Sequence, residues 1–366
     1  MRIFTRTITA PLYAVALLAL SAPVAVAAPP VASPPVAGPA SSELAWDVTT
    51  VDADQSFRGL DALDRSTAWV TGASLSGGAA KVYRTTDGGT AWKDVSPPET
   101  TGLNFRDVEA ESASVATVLA IGEGEASRIY RTTDGGATWT ETFRNTESTA
   151  FFNCMAFYPG GKRGLAVSDP VDGTFRIIST EDGGQSWEVL PTAGMPDSTG
   201  EANFSASGEC LTISGRDAWF GSGGAKARVF HSRDHGLTWT ATDSGIPAGE
   251  AAGVFGLAFS DPRHGVAVGG DFADAADGVD AVSVTRDGGR TWTSDGGELT
   301  HLGEDAAYLR RSLIAVGEGG PIGGSSVSRD GGATWERFSD IGFHTLGCTR
   351  DGACWAAGGQ GRVGRL

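Results

Sequence analysis

One pattern, Ser/Thr-x-Asp-x-Gly-x-x-Trp, occurs six times: Thr85 to Trp92, Thr132 to Trp139, Thr180 to Trp187, Ser232 to Trp239, Thr285 to Trp292 and Ser328 to Trp335. Its aspartates, Asp87, Asp134, Asp182, Asp234, Asp287 and Asp330, are 47, 48, 52, 53 and 43 residues apart. A period of this size points to a β-propeller built from four-stranded blades. The pattern has a local logic. Asp and Ser/Thr side chains bond nearby backbone N–H groups and hold a tight turn. Glycine allows the positive φ that the turn needs, and Trp restarts the strand with a side chain large enough to fill the wedge between sheets. Six aspartates repeated once per blade around a rim are turn formers, not catalytic acids or metal ligands.

A second element precedes the boxes, as in Ala68-Trp-Val-Thr-Gly72, Ala218-Trp-Phe-Gly-Ser222 and Cys354-Trp-Ala-Ala-Gly358. Such short apolar runs, each closed by Gly or Ser, read as buried strands. Trp69, Trp219 and Trp355 share one position in it, and only Trp46 falls outside both repeats. Ala45-Trp46-Asp47-Val48 resembles the strand that follows a box, yet no box precedes it. Gly361 to Leu366 resembles the strand that precedes a box. The N-terminal segment therefore supplies the outer strand of the last blade, which makes seven blades of about 46 residues over 44–366. The expected fold is all-β: a seven-bladed propeller of four-stranded blades with Asp-box turns, closed by the N-terminal strand. That closure also removes an exposed sheet edge.

Ahead of the propeller, residues 1–28 read as an export signal. Arg2 and Arg6 precede a mostly apolar stretch from Leu12 to Val26, and Ala25-Val26-Ala27 is a small-x-small cleavage site. The stretch is short and interrupted by Pro11 and Pro23, so it is not read as a membrane span. Residues 29–43, rich in Pro and Ala, read as an extended linker. The expected product is exported, periplasmic or extracellular, monomeric and not an integral membrane protein. Its 44 acidic against 28 basic residues give a net charge of −16, which argues against nucleic acid as a partner. In an exported chain the four cysteines permit disulfides. Cys348 and Cys354 flank a short turn, while Cys154 and Cys210 hold equivalent positions in successive repeats; four buried thiols are the alternative. No spacing suits zinc, and no metal or cofactor is expected. The acidic loop Asp271, Asp274, Asp277 and Asp280 departs from EF-hand spacing and reads as a solvated insertion rather than a Ca²⁺ site.

The repeated Asp-box, or BNR, signature is shared by sialidases, sortilin-type receptors, some endoglucanases and the photosystem II stability/assembly-factor family. The chain resembles the last most closely, as an exported seven-bladed propeller with short blades, and the sialidase-type propellers more distantly. The first resemblance implies an assembly chaperone that holds protein subunits without catalysing a reaction. A sialidase would need a Phe/Tyr-Arg-Ile-Pro arginine. Phe175-Arg176-Ile177-Ile178 lacks the proline and sits in an ordinary third strand.

Candidate binding residues come from the inner strands. In Phe57-Arg58-Gly-Leu60, Phe105-Arg106-Asp-Val108, Phe152-Asn153-Cys-Met155 and Gly208-Glu209-Cys-Leu211, the residues Arg58, Arg106, Asn153 and Glu209 share one position. If that position faces the channel, two arginines from adjacent blades could grip an anionic group. Alternatively, Asp107 and Glu109 neutralise them. Glu123, Glu125, Glu209, Glu304, Asp305 and Glu318 are possible channel or mouth acids, but the sequence singles out no catalytic pair, and catalytic residues remain unassigned. The function read from the sequence is a non-enzymatic binding or assembly scaffold with a protein partner or other ligand at the mouth or channel. A secreted glycan-active propeller, hydrolase or lectin, is the alternative.

Overall fold

Seven antiparallel sheets follow one another around a ring in this computed structural model, which describes residues 44–274, 278, 280–294, 298–319 and 323–366. The expected signal and linker, and Asp277 of the acidic loop, lie outside the described residues. Blade 1 shows the plan: Gln55–Ala62 innermost, then Ala68–Ser74, Lys81–Thr85 and Lys93–Asp94. The inner strands of blades 2 to 7 are Asn104–Ala110, Phe152–Phe157, Leu211–Ser214, Ala252–Phe259, Asp305–Leu309 and Thr345–Cys348. Blade 5 departs from the plan. Its outermost strand shrinks to a single bridge between Val284 and Thr293. Its sheet continues beyond the inner strand through Gly223–Gly224, from between the second and third strands of blade 4, and Glu201–Ala202, from the connection between blades 3 and 4.

The meander sorts the connections into two faces. Turns between first and second strands lie on the same face as the boxes, here the box face. The other connections lie on the opposite, mouth face. Backbone bonds join the box-face turns within a blade, such as Gly88 N–H to Ser66 O at 2.9 Å and Gly288 N–H to Arg263 O at 2.9 Å. The box of blade 2 shows how a turn is held. Thr132 Oγ1 donates to Asp134 Oδ1 at 2.9 Å, and Asp134 Oδ1 accepts from Thr138 N–H at 2.8 Å. Gly135 and Gly136, at φ 75° and 82°, make the left-handed steps that a Cβ would oppose.

Hydrophobic cores sit between blades rather than within them. Trp69, Val82 and Val95 of blade 1 pack on Phe105, Val108 and Val118 of blade 2, with Trp139 at the margin. At the closure, Trp355 of blade 7 is fully buried against blade 1 and meets Trp92 edge-on at 5.9 Å. Buried polar side chains tie the wedges together. Asp107 Oδ2 accepts from Met155 N–H and Asp305 Oδ2 from Leu346 N–H, each at 2.7 Å and each reaching into the next blade.

The N-terminal strand Asp47–Thr50 pairs antiparallel with Arg362–Arg365 and completes blade 7. Trp46 stands over this seam, with its ring 5.0 Å from that of Phe343 and its indole N–H bonded to Ser325 Oγ at 2.9 Å. Cys154 is bonded to Cys210, joining blades 3 and 4, and Cys348 to Cys354 across the first turn of blade 7.

Candidate functional site

The inner strands carry a repeated irregularity at their mouth ends. The ladder slips between Phe57 and Gly59, Phe105 and Asp107, Phe152 and Cys154, and Val254 and Gly256. Each slip is a bulge, which takes one residue out of the pairing and re-aims its side chain. The residues skipped are Arg58, Arg106, Asn153 and Phe255. By register, Glu304 precedes Asp305 in blade 6 and His344 precedes Thr345 in blade 7 at the same level. These six residues all line one cavity of about 510 Å³ at the mouth of the channel.

Glu209 is not among them. In blade 4 the equivalent backbone is a single 3-10 turn, Gly208–Cys210, where Ser207 Oγ accepts from Glu209 N–H. That turn sends Glu209 to a separate cavity at the box-face end of the channel, beside Asp61 and Thr212. Its place over the mouth is taken by a strap, residues 203–207, that crosses from blade 3 to blade 4.

The arginine pair is spoken for by this strap. Arg58 Nη1 donates to Ala206 O at 2.7 Å and Arg106 Nη1 donates to Ser205 O. Neither Asp107 nor Glu109 neutralises them; Asp107 is turned towards Met155, and the acid facing Arg58 is Glu304, at 3.8 Å. Burial and the neighbouring Arg58 charge push the Arg106 guanidinium down to about 9, partly offset by Glu304, which leaves it protonated at neutral pH. Arg58 keeps 28% of its side chain exposed to the cavity. The strap is anchored further by Ser205 Oγ to Asn153 Oδ1 at 3.0 Å and Asn203 N–H to Asp169 Oδ1 at 2.8 Å. Burial pushes Asp169 up to about 6, against the pull of the Asn203 N–H bond and of one from Asn153 Nδ2 at 2.9 Å.

Beside Arg58, His344 Nδ1 lies 2.5 Å from Glu304 Oε2, and its Nε2 is 3.5 Å from Glu318, which pairs with Arg362 at 2.6 Å. Burial acts to raise the Glu304 carboxyl, yet His344 and Arg58 hold it below its usual range. Glu304 and Glu318 are thus held by Arg58, His344 and Arg362, while Asp169, also lining the cavity, accepts from Asn153 and Asn203. The remaining wall is aromatic. Phe204 of the strap packs 5.8 Å from Phe255 and 6.1 Å from Phe272, and Phe272 is 60% exposed. The result is an open basin with a charged, hydrogen-bonded floor on one side and a phenylalanine lip on the other.

Phe343-His344-Thr345-Leu346 repeats the Phe-x-x-Leu pattern of blade 1 and could have revealed His344 in the sequence. Glu304 follows a glycine instead, so only the structural register finds it.

No protein-family model and no curated protein matches the sequence. Among solved structures, YCF48 bound to D1 peptide is similar with a TM-score of 0.63 and 16% identity, over 92% of this chain and 99% of that one. YCF48 from Cyanidioschyzon merolae gives 0.62 and 16%, over 88% and 99%. A GH74 enzyme from Niastella koreensis gives 0.56 and 14%, over 82% of this chain and 50% of that one. At these identities the likeness is one of fold.

Proposed function

We propose that this chain is an exported, non-enzymatic scaffold that holds a segment of a protein partner in the mouth basin. The observation that carries the reading is the juxtaposition in one cavity of the Phe204–Phe255–Phe272 lip with the floor of Arg58, Asn153, Glu304 and His344. A peptide side chain can bury against the phenylalanines, while its carbonyls or carboxylates meet the exposed part of Arg58. The peptide-bound state of YCF48 supports a peptide-holding role on this type of fold. Glu304 and Glu318 are held in ion pairs and Asp169 accepts bonds from Asn153 and the strap. This weighs against glycoside hydrolysis, a reaction that needs two carboxylates about 5–10 Å apart and free for proton transfer and attack.

Short synthetic peptides on an array, varied in aromatic and acidic content, provide the test. Phe272→Ser should weaken capture about tenfold, typical of an aromatic anchor, with no change in unfolding midpoint because Phe272 is largely exposed. Arg58→Ala should weaken capture of acidic peptides more than neutral ones. No capture by the unaltered chain, together with turnover on a glycan panel, would replace the scaffold with the glycan-active alternative.

A further inference from the structure

In blades 4 to 6 the box-face turns carry more arginine than carboxylate, whereas the mouth-face connections are acidic. On the box face of blades 4 to 6, Arg216, Arg263, Arg286, Arg290, Arg310 and Arg311 are exposed on short turns. None has an acidic partner within 4.0 Å among the described residues. The acids of the same turns are engaged. Asp217 lies 2.6 Å from His231 and 3.4 Å from Arg233, and Asp261 lies 2.8 Å from His264. The box carboxylates of Asp234, Asp287 and Asp330 are turned into their own loops, each accepting backbone N–H and hydroxyl bonds. The mouth-face connections instead expose Glu99, Asp172, Asp197, Asp243, Glu250 and Asp274.

Separation lets the two faces act independently. Strands of five to eight residues, as in blades 5 and 6, span roughly 17–26 Å at about 3.3 Å per residue. That is at least twice the screening length of about 8 Å at physiological salt. A surface touching the box face therefore feels its arginines more than the acids behind them, despite the net charge of −16.

The arginines do not converge on one small anion. Arg290 lines a cavity with His231 and Arg233, Arg286 lines another with Val284 and Thr293, and Arg310 borders the end of the channel. Spread over the turns of three consecutive blades, they match an extended plane of phosphates. Each guanidinium presents a fork suited to phosphate oxygens. Leu237, 51% exposed on the box of blade 4, adds an apolar side chain to the same face.

We infer that the box face of blades 4 to 6 docks on an anionic phospholipid bilayer, which leaves the mouth turned away from the membrane. This inference concerns the other face and does not depend on the mouth reading.

The test uses the exported form of the chain, recovered from an expressing bacterium. It is sedimented with vesicles of phosphatidylcholine alone, and with vesicles containing one third phosphatidylglycerol. Partition onto the anionic vesicles only, reversed by molar salt, is expected. The combined variant Arg263→Glu, Arg286→Glu and Arg290→Glu should reduce it about a hundredfold, since each surface arginine contributes roughly a factor of five. Arg310→Glu with Arg311→Glu gives a second, independent reading. Lys226→Glu, on the mouth face, should leave partition unchanged. Absence of partition at low ionic strength, or full retention by both arginine variants with unaltered unfolding midpoints, overturns the inference. Binding of soluble polyglutamate or heparin without vesicle binding also overturns it, in favour of a soluble polyanion.

Discussion

Removing residues 44–50 is expected to abolish the single cooperative unfolding transition and leave an aggregation-prone chain. The segment contributes the fourth strand of blade 7, in register from Asp47 opposite Arg365 to Thr50 opposite Arg362. It also contributes Trp46, packed on Phe343 and Phe338 and bonded to Ser325. Trp46→Ala alone should cost about 2 kcal/mol, less than a fully buried aromatic because Trp46 is only partly buried. Full deletion adds an unpaired edge at Arg362–Arg365, open to pairing with other chains. Differential scanning calorimetry and light scattering separate the outcomes. A deleted chain that stays monomeric and melts in one transition within a few degrees of the parent would show that the ring does not depend on this seam.

Stability is expected to peak near pH 4–5 and to fall on either side. Asp107 and Asp305 are 3% and 0% exposed, and burial raises each to about 8, although backbone N–H bonds pull the other way. Free in the unfolded chain they titrate near 4. The folded state therefore binds more protons between about pH 4 and 8, so stability falls as pH rises through that window. A tenfold gain in proton affinity at each of the two carboxyls already amounts to about 3 kcal/mol in total. Asp61, raised by burial to about 6 in the channel, acts in the same sense over a narrower range. The box carboxylates work in the opposite direction. Hydroxyl and N–H bonds from Thr138 and Thr334 hold Asp134 and Asp330 near 2, so their contribution is present above pH 4 and is lost as pH falls towards 2. Guanidinium unfolding at pH 4.5, 6 and 8 measures the slope. Asp107→Asn should flatten it, and a stability that climbs steadily from pH 4.5 to 8 would contradict it.

The fold was legible because each blade repeats its local instructions. Box turns, buried Trp-containing strands and the leftover Trp46 together specify blade number and closure, and the register of Asp47–Thr50 against Arg362–Arg365 follows that logic. The mouth was legible only where the repeat survives. Arg58, Arg106 and Asn153 stand out because an aromatic residue precedes each bulge. Glu209 shares the position by counting, but a Ser207-capped 3-10 turn replaces the bulge there and points its side chain elsewhere. The strap over the arginines left no trace in the pattern. Its course depends on the Asn203, Ser205 and Ala206 bonds to other blades, and non-local contacts of that kind have no periodic signature.

The seam at blade 7 also sets an order in time. Six of the seven wedges join blades that are consecutive in the chain, so each can assemble as soon as the following repeat is available. The last wedge must bring together the earliest and latest segments of the propeller, and pairings so remote in sequence are slow to find. Until they meet, Trp46 and the third strand of blade 7 are both exposed. A nascent molecule should therefore linger as an open arc, and the rate at which the arc shuts would decide how long it needs protection from its neighbours.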